Sequence, residues 1–323
     1  MSFDSLAIDV KDLTKIYPGA VRAVDGVSFT VQSGTVFGLL GPNGAGKSTI
    51  IKILTTLSRP GGGSVRVAGV DVVAEPGPAR RMIGCVAQQS GVDPIATGRE
   101  NLTLQGRLYG LGGRRLRTQV DDLLERFGLS EYADRPARAC NGGMRRRLDV
   151  AMGLVHEPHV LFLDEPTTGL DPETRKELWA EIFGMAAVGI TVVLSTHYLE
   201  EAEELADTLG ILDRGKLVAM GTPAELKREM HGDALRVELV EPPGEARVRS
   251  ALSCLEGVCD IVVAGSGLSA RIDPGTATAP VVLAALESAG VRVVSLTLSP
   301  PTIDDVYSRH AGRLLCGMPE ARR

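Results

Sequence analysis

Residues Gly41 to Thr49 read GPNGAGKST, and a stretch of this kind leaves a chain few choices of fold. In G-x-x-x-x-G-K-S the glycines let successive main-chain N–H groups turn inward around a β-phosphate, while the lysine reaches the β/γ oxygens. Asn43, Gly44, Ala45 and Gly46 would form that cradle, Lys47 would supply the charge, and the hydroxyls of Ser48 and Thr49 stand in the required places, with Ser48 left to hold Mg²⁺. Upstream, Val36-Phe37-Gly38-Leu39-Leu40 suits a buried parallel strand; downstream, Ser48 to Leu54 continues as a helix whose positive end would face the phosphates. The loop predicts a user of nucleoside triphosphate and is silent on the use of the energy.

Composition narrows the remaining classes. The 323 residues allow two ordinary domains, and 44% apolar content is enough for real cores. A net charge of −5 lacks the electrostatic footprint of a nucleic-acid binder. Five cysteines, odd in number and without a C-x-x-C pair, point to neither a disulfide framework nor a zinc site and fit a reducing cytoplasm. No apolar run approaches the roughly 18 residues that span a bilayer, and the N-terminus lacks a basic segment followed by an apolar one, so a soluble or peripheral protein is expected.

Short alternating pieces within 6–37, broken at Pro18-Gly19 and Ser33-Gly34, predict a small antiparallel sheet, joined by strand-like Ser64 to Val67 and Val70 to Val72. From about 90 to 154 the pattern turns helical, with Arg99 to Tyr109 and Val120 to Phe127 at helical spacing. Val160 to Leu163 and Thr191 to Ser195 are buried-strand runs on either side of a helix over Glu173 to Met185, a βαβ unit. After about Met230 the pattern restarts as βαββαβ, the order of a ferredoxin-like module, with its second helix over Ala277 to Ala289.

The strand Leu161-Phe162-Leu163 ends in Asp164-Glu165, about 115 residues after the loop. Side chains alternate along a strand, so the two carboxylates diverge and can take separate tasks. Asp164 would orient Mg²⁺ or its water, and Glu165 would polarise the attacking water as a general base.

With these residues in place the chain resembles one family, the ATP-binding subunits of ABC transporters. The resemblance implies an aromatic stacked on adenine at Tyr17, a glutamine at Gln88 contacting Mg²⁺ (Gln89 being the rival), and a switch histidine at His197 holding the γ-phosphate and attacking water. Asp171, in Gly-Leu-Asp-Pro, matches the loop that couples two nucleotide sites; Asp-Pro is also an ordinary helix start, and both readings hold together. The segment Cys140-Asn141-Gly142-Gly143-Met144 matches the signature usually written Leu-Ser-Gly-Gly-Gln. Glycines at a helix start let N–H groups approach an anion, which in the family is the γ-phosphate held by the opposite subunit. Asn141 replaces a serine whose hydroxyl donates to that phosphate; an amide also donates, with a different reach. The arginines after Met144 read as a basic helix flank or solvated face, and Glu200, Glu201, Glu203 and Glu204 as a solvated helix face.

The fold class that follows is α/β: a P-loop NTPase core with an antiparallel β subdomain and a helical insertion, plus a small α+β, ferredoxin-like C-terminal domain. The expected divisions are 1–229 for the ATP-binding domain, 230–312 for the accessory domain and 313–323 for a disordered tail. The ending Ser299 to Tyr307 (SPPTIDDVY) and the Gly-Gly-Met signature resemble the daunorubicin-resistance type. That resemblance implies ATP and Mg²⁺ as cofactors, a homodimer closed by an ATP sandwich, a separate membrane permease, peripheral placement at the cytoplasmic face of the membrane, and export of a drug-like substrate without any nucleic-acid partner. A soluble non-transport ABC ATPase and an importer subunit are the alternatives.

Overall fold

Two long strands, β1 (Leu6–Tyr17) and β2 (Val21–Gln32), begin the computed structural model, which describes residues 6–230, 232–242, 244–273 and 279–311. They pair antiparallel across Pro18-Gly19, where Gly19 takes the positive φ of 84° that costs glycine nothing. β3 (Val36–Leu40) is buried at all five positions and runs through the phosphate loop into α1 (Lys47–Leu54). β4 (Gly62–Val67) and β5 (Val70–Asp71) complete a four-stranded sheet, β2-β1-β4-β5, as the alternating pieces predict.

α2 (Pro76–Met82) leads to β6 (Ile83–Val86), and α3 (Gly98–Leu108), α4 (Gly113–Arg126) and α5 (Gly142–Leu154) form the helical insertion. Thr97 and Glu100 start α3 reciprocally: Glu100 N–H donates to Thr97 Oγ1 at 3.1 Å and Thr97 N–H to Glu100 Oε2 at 2.8 Å. α4 begins at Gly113, before the expected Val120, because Leu116 is the one buried residue ahead of Val120 and a helix with so few apolar positions shows little period in sequence. β7 (Val160–Asp164), α6 (Pro172–Ala187) and β8 (Thr191–Thr196) make the βαβ unit; α7 (Leu199–Leu205), β9 (Thr208–Asp213) and β10 (Lys216–Gly221) follow.

The second sheet has the order β10-β9-β3-β8-β7-β6, parallel throughout except for β10. Both its faces are covered. Leu161, Leu163, Val192 and Leu194 join a core with the insertion and α6, while Val160, Phe162 and Val193 join the core that holds α1 and the antiparallel sheet. Parity then places the polar strand ends: Asp164 shares the side of Val160 and Phe162, and Ser195 that of Val193, toward α1.

The chain divides into two units between Thr222 and Pro223. The second begins with α8 (Pro223–Arg228) and continues as β11 (Asp233–Leu239), α9 (Glu245–Ser253), β12 (Val258–Ala264), β13 (Gly267–Ile272), α10 (Ala279–Ser288), β14 (Val293–Ser299) and α11 (Ile303–Ala311). The sheet β12-β13-β11-β14 is antiparallel, and Leu235, Val237, Val248, Leu252, Val282 and Leu286 form its core with α9 and α10. α11 is an addition to βαββαβ: at its start Thr302 N–H donates to Asp305 Oδ2 and Asp305 N–H to Thr302 Oγ1, and Ile303, Val306 and Tyr307 are buried. The expected start of α10 at Ala277 and the expected tail lie outside the described residues.

Candidate nucleotide site

The strand order gathers the site, since parallel neighbours end at one edge of the sheet. The loops after β3, β8, β7 and β6 carry Lys47, His197, Glu165 and Gln88 to that edge. In the phosphate loop, Gly44 has φ 80° and Gly46 φ 111°. A side chain at Gly46 would place its Cβ 2.4 Å from the Ala23 carbonyl oxygen of β2, so both dihedral and space demand glycine there. Gly46 caps α1 without a side-chain acceptor, which leaves first-turn N–H groups available to an anion. Asn43 and Gly44 are exposed at the tip, Ala45 is buried, and Ser48 and Thr49 are half-buried in the first turn. Tyr17, half-buried, pairs with Val21, two residues before the Ala23 that abuts Gly46.

Lys47 is 4% exposed, and its Nζ donates to the Gly41 carbonyl at 2.7 Å and the Pro42 carbonyl at 3.2 Å. Glu165 Oε1 lies 3.6 Å from Nζ. Burial lowers the lysine pKa, and the carboxylates of Glu165 and Asp164 oppose that shift. The ammonium is therefore held among acceptors that a triphosphate would replace.

Asp164 and Glu165 diverge as their alternation predicts. Ser48 Oγ donates to Asp164 Oδ1 at 3.1 Å, and Ser195 Oγ donates to the same oxygen at 2.5 Å. Glu165 has φ 48°, a left-handed conformation that costs a non-glycine residue about 1–3 kcal/mol and is held here by Glu165 N–H donating to Ser195 O and Oγ. Gln88 Nε2 donates to Glu165 Oε2 at 3.2 Å, and His197 Nδ1 stands 3.3 Å from Glu165 Oε1, out of hydrogen-bond alignment. Gln88, and not Gln89, makes this contact.

Among the described residues no group of three or more His, Cys, Asp or Glu side chains could hold a metal unaided. Ser48 Oγ and Asp164 Oδ1 are two hard oxygens beside a phosphate cradle. Such a pair fits Mg²⁺, which takes one or two protein oxygens and completes its shell with water and phosphate.

The signature segment forms the start of α5. Asn141 is its cap, with Oδ1 accepting from Met144 N–H at 2.8 Å, so the amide NH₂ is the part left to donate outward. Gly142 is exposed, and a Cβ built there meets nothing within 4 Å, whereas a Cβ at Gly143 would stand 2.4 Å from Thr174 Cγ2. Thr174 belongs to the turn capped by Asp171, whose Oδ1 accepts from Glu173 and Thr174 N–H at 3.1 and 3.0 Å. Those hydrogen bonds, led by Thr174 N–H, lower the Asp171 pKa. Met144 is buried beneath.

Two charged residues depart from the surface roles expected of them. Arg146 is 8% exposed, and its guanidinium donates to the carbonyls of Ala87 and Pro166 at 2.7 Å each and of Asp164 at 3.3 Å. It is a clamp between the segment entering Gln88 and the segment carrying Asp164 and Glu165. Burial lowers its pKa, opposed by Asp149, Asp164 and Glu201. Glu201 is fully buried, accepts from Trp179 Nε1 at 3.3 Å, and has its pKa raised by burial. The periodicity of α5 and α7 carries the signal for both: Arg146 lies four residues before buried Val150 and Glu201 four before buried Leu205.

Known proteins are similar to this chain in sequence and fold. A family model described as ABC transporter matches residues 24–168, and one described as ATP-binding protein DrrA1-3-like, C-terminal domain, matches 221–311. The daunorubicin resistance ATP-binding protein DrrA3 of Streptomyces coeruleorubidus is 44% identical over 306 residues, 95% of this chain and 96% of that protein. Nod factor export ATP-binding protein I of Ralstonia nicotianae is 44% identical over 219 residues, 68% of each chain. A solved structure of an ATP-binding subunit of an ABC transporter superposes with a TM-score of 0.63 at 30% identity, covering 69% of this chain and 92% of that one. A phosphate cradle, a divergent carboxylate pair at a strand end and a glycine-started signature helix thus stand together in a chain that belongs to the ATP-binding subunits of ABC transporters, alongside the daunorubicin-resistance proteins.

Proposed function

We propose that two copies of this chain enclose two ATP molecules with Mg²⁺ and, by closing and hydrolysing them, power export of a hydrophobic, drug-like compound through a separate membrane permease. The relatives named for daunorubicin resistance and Nod factor export support export over import. Among the described residues no helix is long and apolar enough to cross a membrane, which fits a subunit attached to its permease at the cytoplasmic face.

One observation carries the two-copy reading. Ser48 meets Asp164, and Lys47, Gln88 and His197 gather around the neighbouring Glu165, while Asn141 and Gly142 present an exposed helix start with open space before it. An anion approaching that start from a second copy would meet N–H groups, the helix dipole and the Asn141 amide.

Within one copy the contacts support the following roles. Tyr17 offers a ring to adenine, and the main chain from Asn43 to Gly46, with Lys47 and Thr49, receives the phosphates. Lys47 turned toward phosphate would release the Glu165 carboxylate, and a freed carboxylate is the stronger base for the attacking water. Gln88 holds the other Glu165 oxygen in place, and His197, beside Glu165, would hold the γ-phosphate. Mg²⁺, held by Ser48 and Asp164 with Gln88 beside it, would draw charge from the β- and γ-phosphate oxygens.

Light scattering after gel filtration tests the sandwich with Glu165→Gln, which keeps the Gln88 contact but lacks the base. The variant should run as a dimer with ATP and Mg²⁺ and as a monomer without nucleotide; a monomer in both conditions would overturn the two-copy reading.

A further inference from the structure

In the C-terminal unit, strand alternation sends aliphatic side chains to one face of the sheet and arginines to the other. Leu235 and Val237 of β11, and Leu268, Ala270 and Ile272 of β13, enter the core with α9 and α10; Arg236 and Arg271 therefore lie opposite. A cavity of about 640 Å³ lies there, and its charged lining is Arg236, Arg249, Arg271, Arg309, Asp260 and Asp305. Glu245, outside the lining, already pairs with Arg249, so Arg236, Arg271 and Arg309 against Asp260 and Asp305 leave an excess of one positive charge.

Among the described residues, few acceptors face these donors. Asp305 Oδ2 is taken by Thr302, whose N–H and Oγ1 both donate to it at 2.8 Å. The remaining oxygen, Oδ1, is shared by Arg236 Nη2 at 3.3 Å and Arg271 Nη2 at 3.6 Å. Arg271 is 9% exposed, and its Nη1 has the Gly232 carbonyl only at 3.5 Å. A guanidinium carries five N–H donors, and one nearly removed from water loses hydration that a single distant oxygen does not return. Arg309 Nη1 donates to the Glu229 main-chain carbonyl at 2.8 Å, a neutral acceptor that does not offset its charge. Arg249, paired with Glu245 at 2.9 Å, stands at the exposed side.

We infer that this cavity binds a small phosphate monoester, its dianionic phosphate seated among Arg236, Arg271 and Arg309 and its organic part against Ile261 and Val262. The volume suits a small ligand, since such sites run to about 300–1,000 Å³. Planar guanidinium forks match phosphate oxygens two at a time, and a monoester carries close to two negative charges at neutral pH, which the net positive lining favours. The same headgroup could arrive free or at the end of a phosphatidate lipid.

The test uses the full chain carrying Lys47→Ala, so that the phosphate loop lacks its ammonium. Calorimetric titration with glycerol 3-phosphate covers the free source; co-sedimentation with phosphatidylcholine vesicles, with and without phosphatidic acid, covers the lipid one. Saturable binding of the free ester, weakened at least tenfold by adding Arg236→Gln or Arg309→Gln, supports the site with a free ligand. Binding only to the phosphatidic acid vesicles, with the same dependence on these arginines, supports it with a lipid headgroup. Both arginines are exposed enough to replace without emptying the core, and an unchanged unfolding temperature verifies this for each variant. No saturable binding to either probe, or binding indifferent to both substitutions, overturns the inference.

Discussion

Ser48 Oγ and Asp164 Oδ1 lie 3.1 Å apart although 116 positions separate them in the chain. The contact joins the first turn of α1 to the end of β7, and Ser195 Oγ fixes the same carboxylate oxygen from the next strand at 2.5 Å. Asp164→Asn keeps the shape and removes the charge that a divalent cation requires. ATP hydrolysis should fall about 10²-fold or more, the scale on which a single preorganised charge contributes, and the Mg²⁺ concentration for half-maximal rate should rise. A titration of Mg²⁺ against steady-state hydrolysis checks both.

Asn141 serves α5 through Oδ1 and has Nδ2 left to donate. Asn141→Ser can cap as well as asparagine, so its unfolding midpoint should stay the same and its hydrolysis rate should remain within about threefold, a barrier change of less than 1 kcal/mol. Asn141→Ala should lose about 1 kcal/mol of stability and most of the hydrolysis. A large gain in rate for the serine form would mean that the natural amide hinders the site.

The two signature glycines should separate cleanly. Gly143→Ala drives its Cβ to within 2.4 Å of Thr174 Cγ2 and should destabilise the chain by about 1–3 kcal/mol. Thr174→Ser removes that methyl, keeps the hydroxyl that donates to Asp171 Oδ2 at 2.7 Å, and should restore much of the loss. Gly142→Ala should leave the unfolding curve nearly unchanged and weaken ATP-dependent dimerisation of a Glu165→Gln background. Chemical denaturation and light scattering distinguish the two.

Arg146→Met retains bulk but leaves the Ala87 and Pro166 carbonyls without their donor. A loss of about 3 kcal/mol is expected for stripping a buried charged hydrogen-bonding group from its partners, with hydrolysis falling because Gln88 and Glu165 lose their common support. Arg145→Met, on the exposed neighbour, should change stability by less than about 0.5 kcal/mol. Urea unfolding of the pair measures the difference.

The buried Glu201 carboxyl makes a pH prediction of definite sign. Burial raises its pKa in the folded chain, so the folded state holds its proton more tightly than the unfolded state. That contribution is complete below the ordinary glutamate range and is lost as pH rises through the raised value. Glu201→Gln keeps an acceptor for Trp179 Nε1 and has no proton to lose. The variant should therefore gain unfolding temperature over the natural chain at pH 8, and the gain should shrink as pH falls toward 5; an equal difference at every pH would contradict it.

The legible parts of this site were those written in contiguous residues. Gly44 and Gly46 announce left-handed backbone, and Leu161 to Glu165 announces a buried strand ending in two divergent carboxylates, because each requirement is met within a few neighbouring residues. Gln88 is preferred to Gln89 through the strand-like run before it and its spacing to Thr97, and the structure sets it against Glu165. By their charge Arg146 and Glu201 are illegible as buried residues, because charge alone marks an exposed side chain far more often than a buried one.

The sequence by itself determined that the chain handles a nucleoside triphosphate, that the loop lies between a buried strand and a helix, and that a second α+β module follows. Tertiary structure alone decided which charged side chains leave the surface and which distant residues meet. Parity along β7 and β8 turns Asp164 and Ser195 toward α1, and the strand order brings Gln88, Glu165 and His197 to one edge. The physical reason is that backbone geometry is a local demand, met by the residue that bears it, whereas burial and pairing depend on elements a hundred positions away that come together only when the sheet is assembled.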